Sequence, residues 1–386
     1  MIFILIDFIK NNRDKSIAEI ALLLSKHPKL DKNYIICQIN GLQKAKLKLP
    51  TFYQNPQIVY PIGLSMEQCS SEQTAIFKSK LVQGKTMVDL TGGFGIDAYF
   101  FSKQFESTNY IEQNPELFEL VTRNFNTLNV FIKTNQTSCE EFLIHNSEQF
   151  DLAYIDPSRR DETKRVFKLD ECTPNVIELL PKLLKTAQKI IIKTSPLLDI
   201  KQTLKDLGEV SKVWVVSVNN DCKEVLYLVE KTNLTNPEII AINLTKTVEE
   251  KFNFNYQDEI DDYAIFSQPL KYLYEPNASV LKAGGFKSIS SQFQINKISS
   301  NTHLYTSLNL IKDFPGRVFK IDQTLEYNEK TFKGLGIKKA NITTRNFQDS
   351  VDQIKKKLKL TDGGDTYLFA IRDLNEKPLL IIGQKV

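Results

Sequence analysis

Residues 88–97 read Val88-Asp-Leu-Thr-Gly-Gly-Phe-Gly-Ile-Asp97, with Gly92, Gly93 and Gly95 set between an apolar run and the start of an amphipathic one. A chain can use that pattern in few ways. A buried strand ends, and the backbone turns sharply with no Cβ to obstruct a ligand. A helix then begins, and its unpaired N–H groups carry a partial positive field. From there, runs of strand and helix periodicity alternate. Strands are predicted over 86–91, 107–112, 130–135, 150–156, 188–194, 212–219 and 224–230, and helices over 96–104, 115–128, 139–145, 174–187 and 199–207. The last two strands are joined by a short turn at Asn219-Asn220-Asp221 and must be antiparallel neighbours. Five β-α units closed by a hairpin specify a Rossmann-like α/β fold, a seven-stranded and mostly parallel sheet with helices on both faces.

Glu112 stands seventeen residues beyond Gly95, at the end of the second predicted strand. A carboxylate there can accept hydrogen bonds from both hydroxyls of a ribose, so Gly92, Gly93, Gly95 and Glu112 are expected to hold an adenosine-containing cofactor. A dinucleotide fits poorly. The third glycine of its fingerprint is absent (Ile96, Asp97 and Ala98 follow Gly95), and Asp97 in the first helical turn would repel a pyrophosphate. S-adenosylmethionine carries no phosphate, and Asp89, with Thr91 beside it, is placed to face its ammonium end. The third strand ends in Asn135-Gln-Thr-Ser138, where the Thr137 and Ser138 oxygens are expected to accept from the adenine amine in place of the usual aspartate.

A second motif, Phe150-Asp-Leu-Ala-Tyr-Ile-Asp-Pro-Ser-Arg-Arg-Asp161, delivers Asp156-Pro157 to the carboxyl edge of the sheet, where such folds bind ligands. It resembles the Asp/Asn-Pro-Pro-aromatic motif of amino-directed nucleic-acid methyltransferases. That resemblance implies that the Asp156 side chain and the Pro157 carbonyl orient the acceptor. Ser158-Arg159 replaces the second proline and the aromatic residue, which removes the ring that would stack on a flipped base. Ser158, Arg159 and Arg160 are therefore read as substrate-binding, with the guanidiniums able to clamp phosphate bidentately; ion pairs with Asp161 or Glu162 are the alternative. In a C-terminal helix predicted over 349–358, Lys355 and Lys356 offer a phosphate-contacting face, or simply a solvated one.

Charge is distributed unevenly along the chain. The net charge is +5 over residues 1–84, −5 over 85–230, −4 over 231–275 and +8 over 276–386. Basic ends around an acidic middle suit a protein whose ends grip a polyanion while its centre does chemistry, although ordinary surface variation produces the same pattern. The five cysteines and three histidines are scattered with no C-x-x-C pair, which argues against a zinc site or disulfide framework and suits a reducing cytoplasm. The apolar opening, Met1–Ile6, is too short for a membrane span. Before the central domain, residues 1–84 read as helical, with Pro50, Pro56 and Pro61 marking an irregular stretch and Ser70-Ser71 starting a helix that runs to about Val82. Ser65-Met-Glu-Gln-Cys-Ser-Ser-Glu-Gln-Thr-Ala75 is similar to the stretch that precedes the domain in some RNA methyltransferases, where polar residues fold over the cofactor cleft. A plain capped helix start explains it equally well.

Together, Asp89-Leu-Thr-Gly-Gly-Phe-Gly and Asp156-Pro-Ser-Arg-Arg resemble a bacterial family of class I S-adenosylmethionine-dependent methyltransferases that end in a THUMP-like domain. Tyr274-Glu-Pro-Asn-Ala, Arg345-Asn-Phe and the Asp362-Gly-Gly-Asp turn look like that family's C-terminal half. The resemblance implies a helical N-terminal domain (1–84), a class I methyltransferase domain (85–231), a connector (232–275), a ferredoxin-like domain (276–325) and a THUMP-like domain (326–386). Since THUMP domains proper bind RNA, it implies methylation of structured RNA, a tRNA or an rRNA, with no membrane and no metal involved. Two alternatives remain open at this point: a non-catalytic RNA-binding protein on a methyltransferase scaffold, and a methyltransferase acting on DNA or protein.

Overall fold

The computed structural model describes residues 2–159, 168–230 and 236–386, with side chains from residue 5 onward except at Arg159. The chain divides into two compact units, Met1–Val210 with Tyr227–Asn233, and Ser211–Leu226 with Leu234–Val386.

The central sheet is built from β1 (Thr86–Asp89), β2 (Ser107–Glu112), β3 (Lys133–Gln136), β4 (Phe150–Ile155), β5 (Ala187–Thr194), β6 (Val210–Val218) and β7 (Asp221–Glu230), as the periodicity predicts. It also takes in β8 (Glu238–Leu244) and β9 (Glu249–Phe254), so it has nine strands in the order β3-β2-β1-β4-β5-β7-β6-β8-β9. Two expectations are thereby corrected. The sheet is not seven-stranded, and the stretch expected to be a connector is partly strand. The cause is legible: Glu238-Ile-Ile-Ala-Ile-Asn-Leu244 has every residue after Glu238 buried, and it pairs in parallel with β6. Strands β1 to β5 pair in parallel, as β-α units require. The β6–β7 turn puts Asn219 and Asn220 at φ 50° and 66°, the left-handed values a tight two-residue hairpin needs.

The N-terminal helices are not loosely appended. Ile20, Leu24, Ile35 and Ile39 form a small core of their own. Phe52, Tyr60, Met66 and Ala75 instead join one cluster with Phe94, Ile96, Tyr99, Tyr110 and Phe125 of the glycine-turn region. Burying a large apolar side chain there contributes about 1.5–3 kcal/mol each. Asn124 adds a two-point amide clasp, accepting from Val59 N at 3.0 Å and donating to Val59 O at 2.8 Å. Of the prolines expected to mark an irregular stretch, Pro50 instead opens the short helix Pro50–Gln54, where a missing N–H costs nothing, while residues 55–62 around Pro56 and Pro61 carry no helix or strand. The helix expected from Ser70-Ser71 runs Glu72–Ser79, with the Ser71 hydroxyl capping Thr74 N.

In the second unit, β10 (Tyr272–Pro276), β11 (Asn296–Lys297), β12 (Tyr305–Ser307), β13 (Gly316–Glu326), β14 (Asn341–Arg345), β15 (Thr366–Arg372) and β16 (Pro378–Lys385) form one sheet in the order β11-β12-β10-β13-β16-β15-β14. Only the β14–β15 pair is parallel. A domain boundary between 325 and 326 would cut the end of β13. The helix Val351–Leu358 covers one face through Ile354 and Leu358. Among the described residues, no helix is long and apolar enough to cross a membrane.

Candidate cofactor and acceptor site

Each glycine in the turn has its own reason to be glycine. Gly92 N bonds Ile111 O at 2.8 Å, which draws the turn so close to β2 that a Cβ on Gly92 would lie 2.1 Å from Tyr110 Cε2. Gly95, at φ 73°, precedes the helix Ile96–Phe101 and lies against Val121 and Phe125. Gly93, at φ 53°, faces open space: a Cβ there would find its nearest neighbour, Thr91 O, 3.8 Å away. Glu112 closes β2 with both oxygens aimed: Oε2 accepts from Gly93 N at 2.9 Å and Oε1 from Asn114 N at 2.7 Å. Burial raises its pKa against the pull of those amide bonds.

Asp89 is 1% exposed at the end of β1. Burial pushes its carboxyl well above the usual range, and the charges of Asp97, Asp156 and Glu112 push it further, against a bond from Thr91 N. Asp97, Asp156 and Glu112 thus lie near enough to Asp89 for their charges to act on it. Thr91 ties the two predicted motifs together, its Oγ1 accepting from Asp156 N at 2.7 Å. Asp156 is in turn paired through Oδ2 with the Lys193 ammonium from the end of β5.

Asp97 is the anchor of a buried network. Its Oδ2 accepts from Ser70 Oγ at 2.7 Å and from Tyr154 OH at 3.1 Å, while Oδ1 lies 3.0 Å from Lys78 Nζ. Lys78 is completely buried and also donates to Ser70 Oγ at 2.6 Å. Burial works to raise the Asp97 pKa, but Lys78, Lys193 and the Ser70 hydroxyl together hold it below the ordinary carboxylate value. The stretch 65–75 thus meets the glycine-turn helix through Ser70.

The other expected site residues are placed as follows. Thr137 N donates to Glu112 O at 3.2 Å, and its hydroxyl donates to Glu141. Ser138 Oγ caps the helix Cys139–His145, accepting from Glu141 N at 3.1 Å. Pro157 is buried beside Asp156, and Ser158 pairs with Thr173 in a two-residue ribbon. Arg159 is described by its backbone alone, and Arg160 lies outside the described residues. Lys355 and Lys356 belong to the second unit. Lys355 reaches Asp362 at 2.6 Å and Asp352 at 3.8 Å, whereas Lys356 is exposed. Sequence reasoning missed Lys193 and Lys78, and reached Ser70 only as part of the stretch 65–75. Of the two lysines only Lys193 left a signal, a lysine one residue short of a strand's end and directly after the buried run Ile190-Ile-Ile192. No group of three or more metal-ligating side chains occurs among the described residues.

The second unit holds a further charged cluster. Glu275, 3% exposed on β10, accepts from Arg317 Nε and Arg345 Nη2, each at 2.7 Å. The Tyr274-Glu-Pro-Asn-Ala and Arg345-Asn-Phe segments thus meet through one carboxylate.

Family models match the C-terminal part of the chain: a ferredoxin-like domain over residues 272–315 and a THUMP domain-like one over 316–385. No curated protein matches the sequence. Among solved structures, a candidate methyltransferase from Porphyromonas gingivalis W83 is 29% identical, covers 99% of this chain and 97% of its own, and superposes with a TM-score of 0.87. The tRNA (uracil-54, C5)-methyltransferase of Pyrococcus abyssi, solved with S-adenosyl-L-homocysteine, is 15% identical over 45% of this chain and 40% of its own, with a TM-score of 0.30. An rRNA methylase from Streptococcus thermophilus is 13% identical over 41% of this chain and 95% of its own, also at 0.30.

Proposed function

We propose that this chain, a class I methyltransferase fold carrying ferredoxin-like and THUMP-like domains, transfers a methyl group from S-adenosylmethionine to structured RNA, a tRNA or an rRNA. The observation that carries the cofactor assignment is Glu112 closing β2 on the Gly93 amide, with the buried Asp89 ending the neighbouring strand β1. A pyrophosphate would be repelled there. A phosphate-free nucleoside bearing a sulfonium and an ammonium is attracted, and its positive charge favours the ionised Asp89 that burial and the neighbouring carboxylates disfavour. Glu112, held on two amides, is the group to take the ribose hydroxyls. Gly93 leaves room beside it, and Asp89 faces the ammonium end.

S-adenosylmethionine supplies an activated methyl group, so the chain's own residues have mostly to position the acceptor and exclude water. Asp156, fixed through its amide on Thr91, stands at the carboxyl edge of the sheet, where an acceptor can approach. Two observations favour RNA as the acceptor: the THUMP domain-like match and the net charge of +8 over residues 276–386.

The cofactor reading is tested by calorimetry. Glu112→Ala removes the carboxylate and loosens the turn, and donor affinity is expected to fall at least tenfold; equal affinity for both proteins removes the assignment. The acceptor class is read by incubating tritiated donor with total RNA, DNA and protein from cells lacking this chain. Label confined to protein or DNA would overturn the RNA reading.

A further inference from the structure

We infer that the acceptor atom is an oxygen, a ribose hydroxyl of the RNA, held between Lys193 and Asp156; this rests on the RNA reading above. Strands β4 and β5 are parallel neighbours with Ile155 opposite Ile192, so Asp156, just past β4, and Lys193, one residue short of the end of β5, stand at the same edge. Their side chains form an ion pair that is mostly buried, with Lys193 13% and Asp156 30% exposed.

That pair is mismatched to an exocyclic amine. An amine brings two N–H donors and needs acceptor oxygens to aim its lone pair, yet an ammonium, itself a triple donor, stands on the very carboxylate that would serve. A hydroxyl matches the pair. It can donate its proton to the remaining lone pairs of Asp156 and accept from Lys193, with its other lone pair left for the methyl carbon. The sequence points the same way: Ser158-Arg159 stands where amino-directed motifs of this kind carry a second proline and an aromatic ring. Both arguments favour the sugar over the base.

The step balances. The hydroxyl oxygen forms a bond to the methyl carbon, and the carbon–sulfur bond breaks with its electron pair staying on sulfur, which becomes a neutral thioether. The hydroxyl proton passes to the Asp156 carboxylate and from there to water. Lys193 remains charged throughout, pairing with the carboxylate beforehand and steadying the oxygen during transfer.

The test uses the full chain, tritiated donor and RNA from cells lacking the protein, followed by alkaline hydrolysis of the labelled RNA. Alkaline scission needs the neighbouring 2′-hydroxyl, so a methyl on that oxygen leaves the label in alkali-stable dinucleotides, the expected result. Label in mononucleotides places the methyl on a base, which overturns this inference while RNA methylation stands. Label only in protein or DNA, or in no fraction, removes the RNA reading and this inference with it. Lys193→Met is expected to keep donor affinity by calorimetry and RNA affinity by filter binding within about twofold, while transfer falls about 10²-fold and Lys193→Arg restores part of it. Undiminished transfer by Lys193→Met, or loss of donor binding in both variants, overturns the role given to Lys193.

Discussion

The buried Lys78–Asp97 pair invites a decisive perturbation, Lys78→Met. The substitution removes the charge facing Asp97 Oδ1 and leaves that carboxylate with the Ser70 and Tyr154 hydroxyls. Breaking a buried pair from one side costs about 3–5 kcal/mol. Because two hydroxyl donors remain, the low end applies, about 3 kcal/mol, or roughly 10²-fold in the opening equilibrium at 1.4 kcal/mol per decade. Hydrogen exchange followed by mass spectrometry reads this directly. Peptides covering 72–79 and 96–101 should exchange about 10²-fold faster in the variant, while those covering β10 and β13 should not change. The pH dependence supplies a second reading. In the native protein the Asp97 pKa is depressed, so its contribution to stability is present above the unfolded carboxylate value and is lost as pH falls through the folded one. Without Lys78, only Lys193 and the Ser70 hydroxyl oppose burial and the folded pKa rises, so that contribution shrinks and the acid-side slope flattens. Adding Asp97→Asn to Lys78→Met should recover about 2 kcal/mol, since the stranded charge is gone. Exchange rates within twofold of the native protein, or an unchanged slope, would refute the claim that this pair stitches the preceding helix to the glycine turn.

Gly92→Ala should cost about 1–3 kcal/mol and at least tenfold in donor affinity, because its Cβ would meet a Tyr110 ring that is fully buried and bonded through its hydroxyl to Gly93 O at 2.7 Å. Gly93→Ala meets no such wall and should cost about 1–2 kcal/mol through its φ alone; calorimetry and urea titration rank the two, and a harsher Gly93→Ala would contradict the packing argument. Since the Asp89 pKa is raised, its protonated form competes with a cationic donor. Affinity should therefore climb as pH rises through that pKa, with proton release detected as a buffer-dependent binding enthalpy; a flat profile would sink the role given to Asp89. Glu275→Gln should weaken two charge-assisted contacts at a buried position and cost about 3 kcal/mol, with protection lost across β10 and β13 and retained over residues 86–112.

What is legible in the sequence follows from the range of the physics involved. Local patterns can be read: β2 spans the predicted 107–112, and all five central helices lie at their expected places, because periodicity and caps act over a few residues. The β8–β9 hairpin is hidden because the acidic balance of residues 231–275 masks an apolar run, and because Glu249-Glu-Lys-Phe-Asn-Phe254 carries too many charges to look like a strand. In the site, the glycines, Asp89, Glu112 and Asp156 announce themselves by position within motifs. Lys193 pairs with Asp156 across 37 residues, and Lys78 with Asp97 across 19, so no spacing rule points to either. Thr137 and Ser138 carry suitable oxygens; Thr137 donates to Glu141 and Ser138 accepts one N–H, which leaves each hydroxyl oxygen with lone pairs to offer.

The sheet of the second unit carries a practical consequence. The join between the ferredoxin-like and THUMP domain-like matches falls where β13 begins, yet β13 hydrogen-bonds to β10 along five residue pairs, Tyr272–Lys320 to Pro276–Gly316. Severing the chain at that join would release no self-sufficient module. The downstream fragment would present a raw backbone ladder to any passing strand, and two guanidiniums would be stripped of their shared counter-ion. Recombinant pieces divided at 315/316 should clump, whereas a piece that begins ahead of Tyr272 keeps the whole ladder closed.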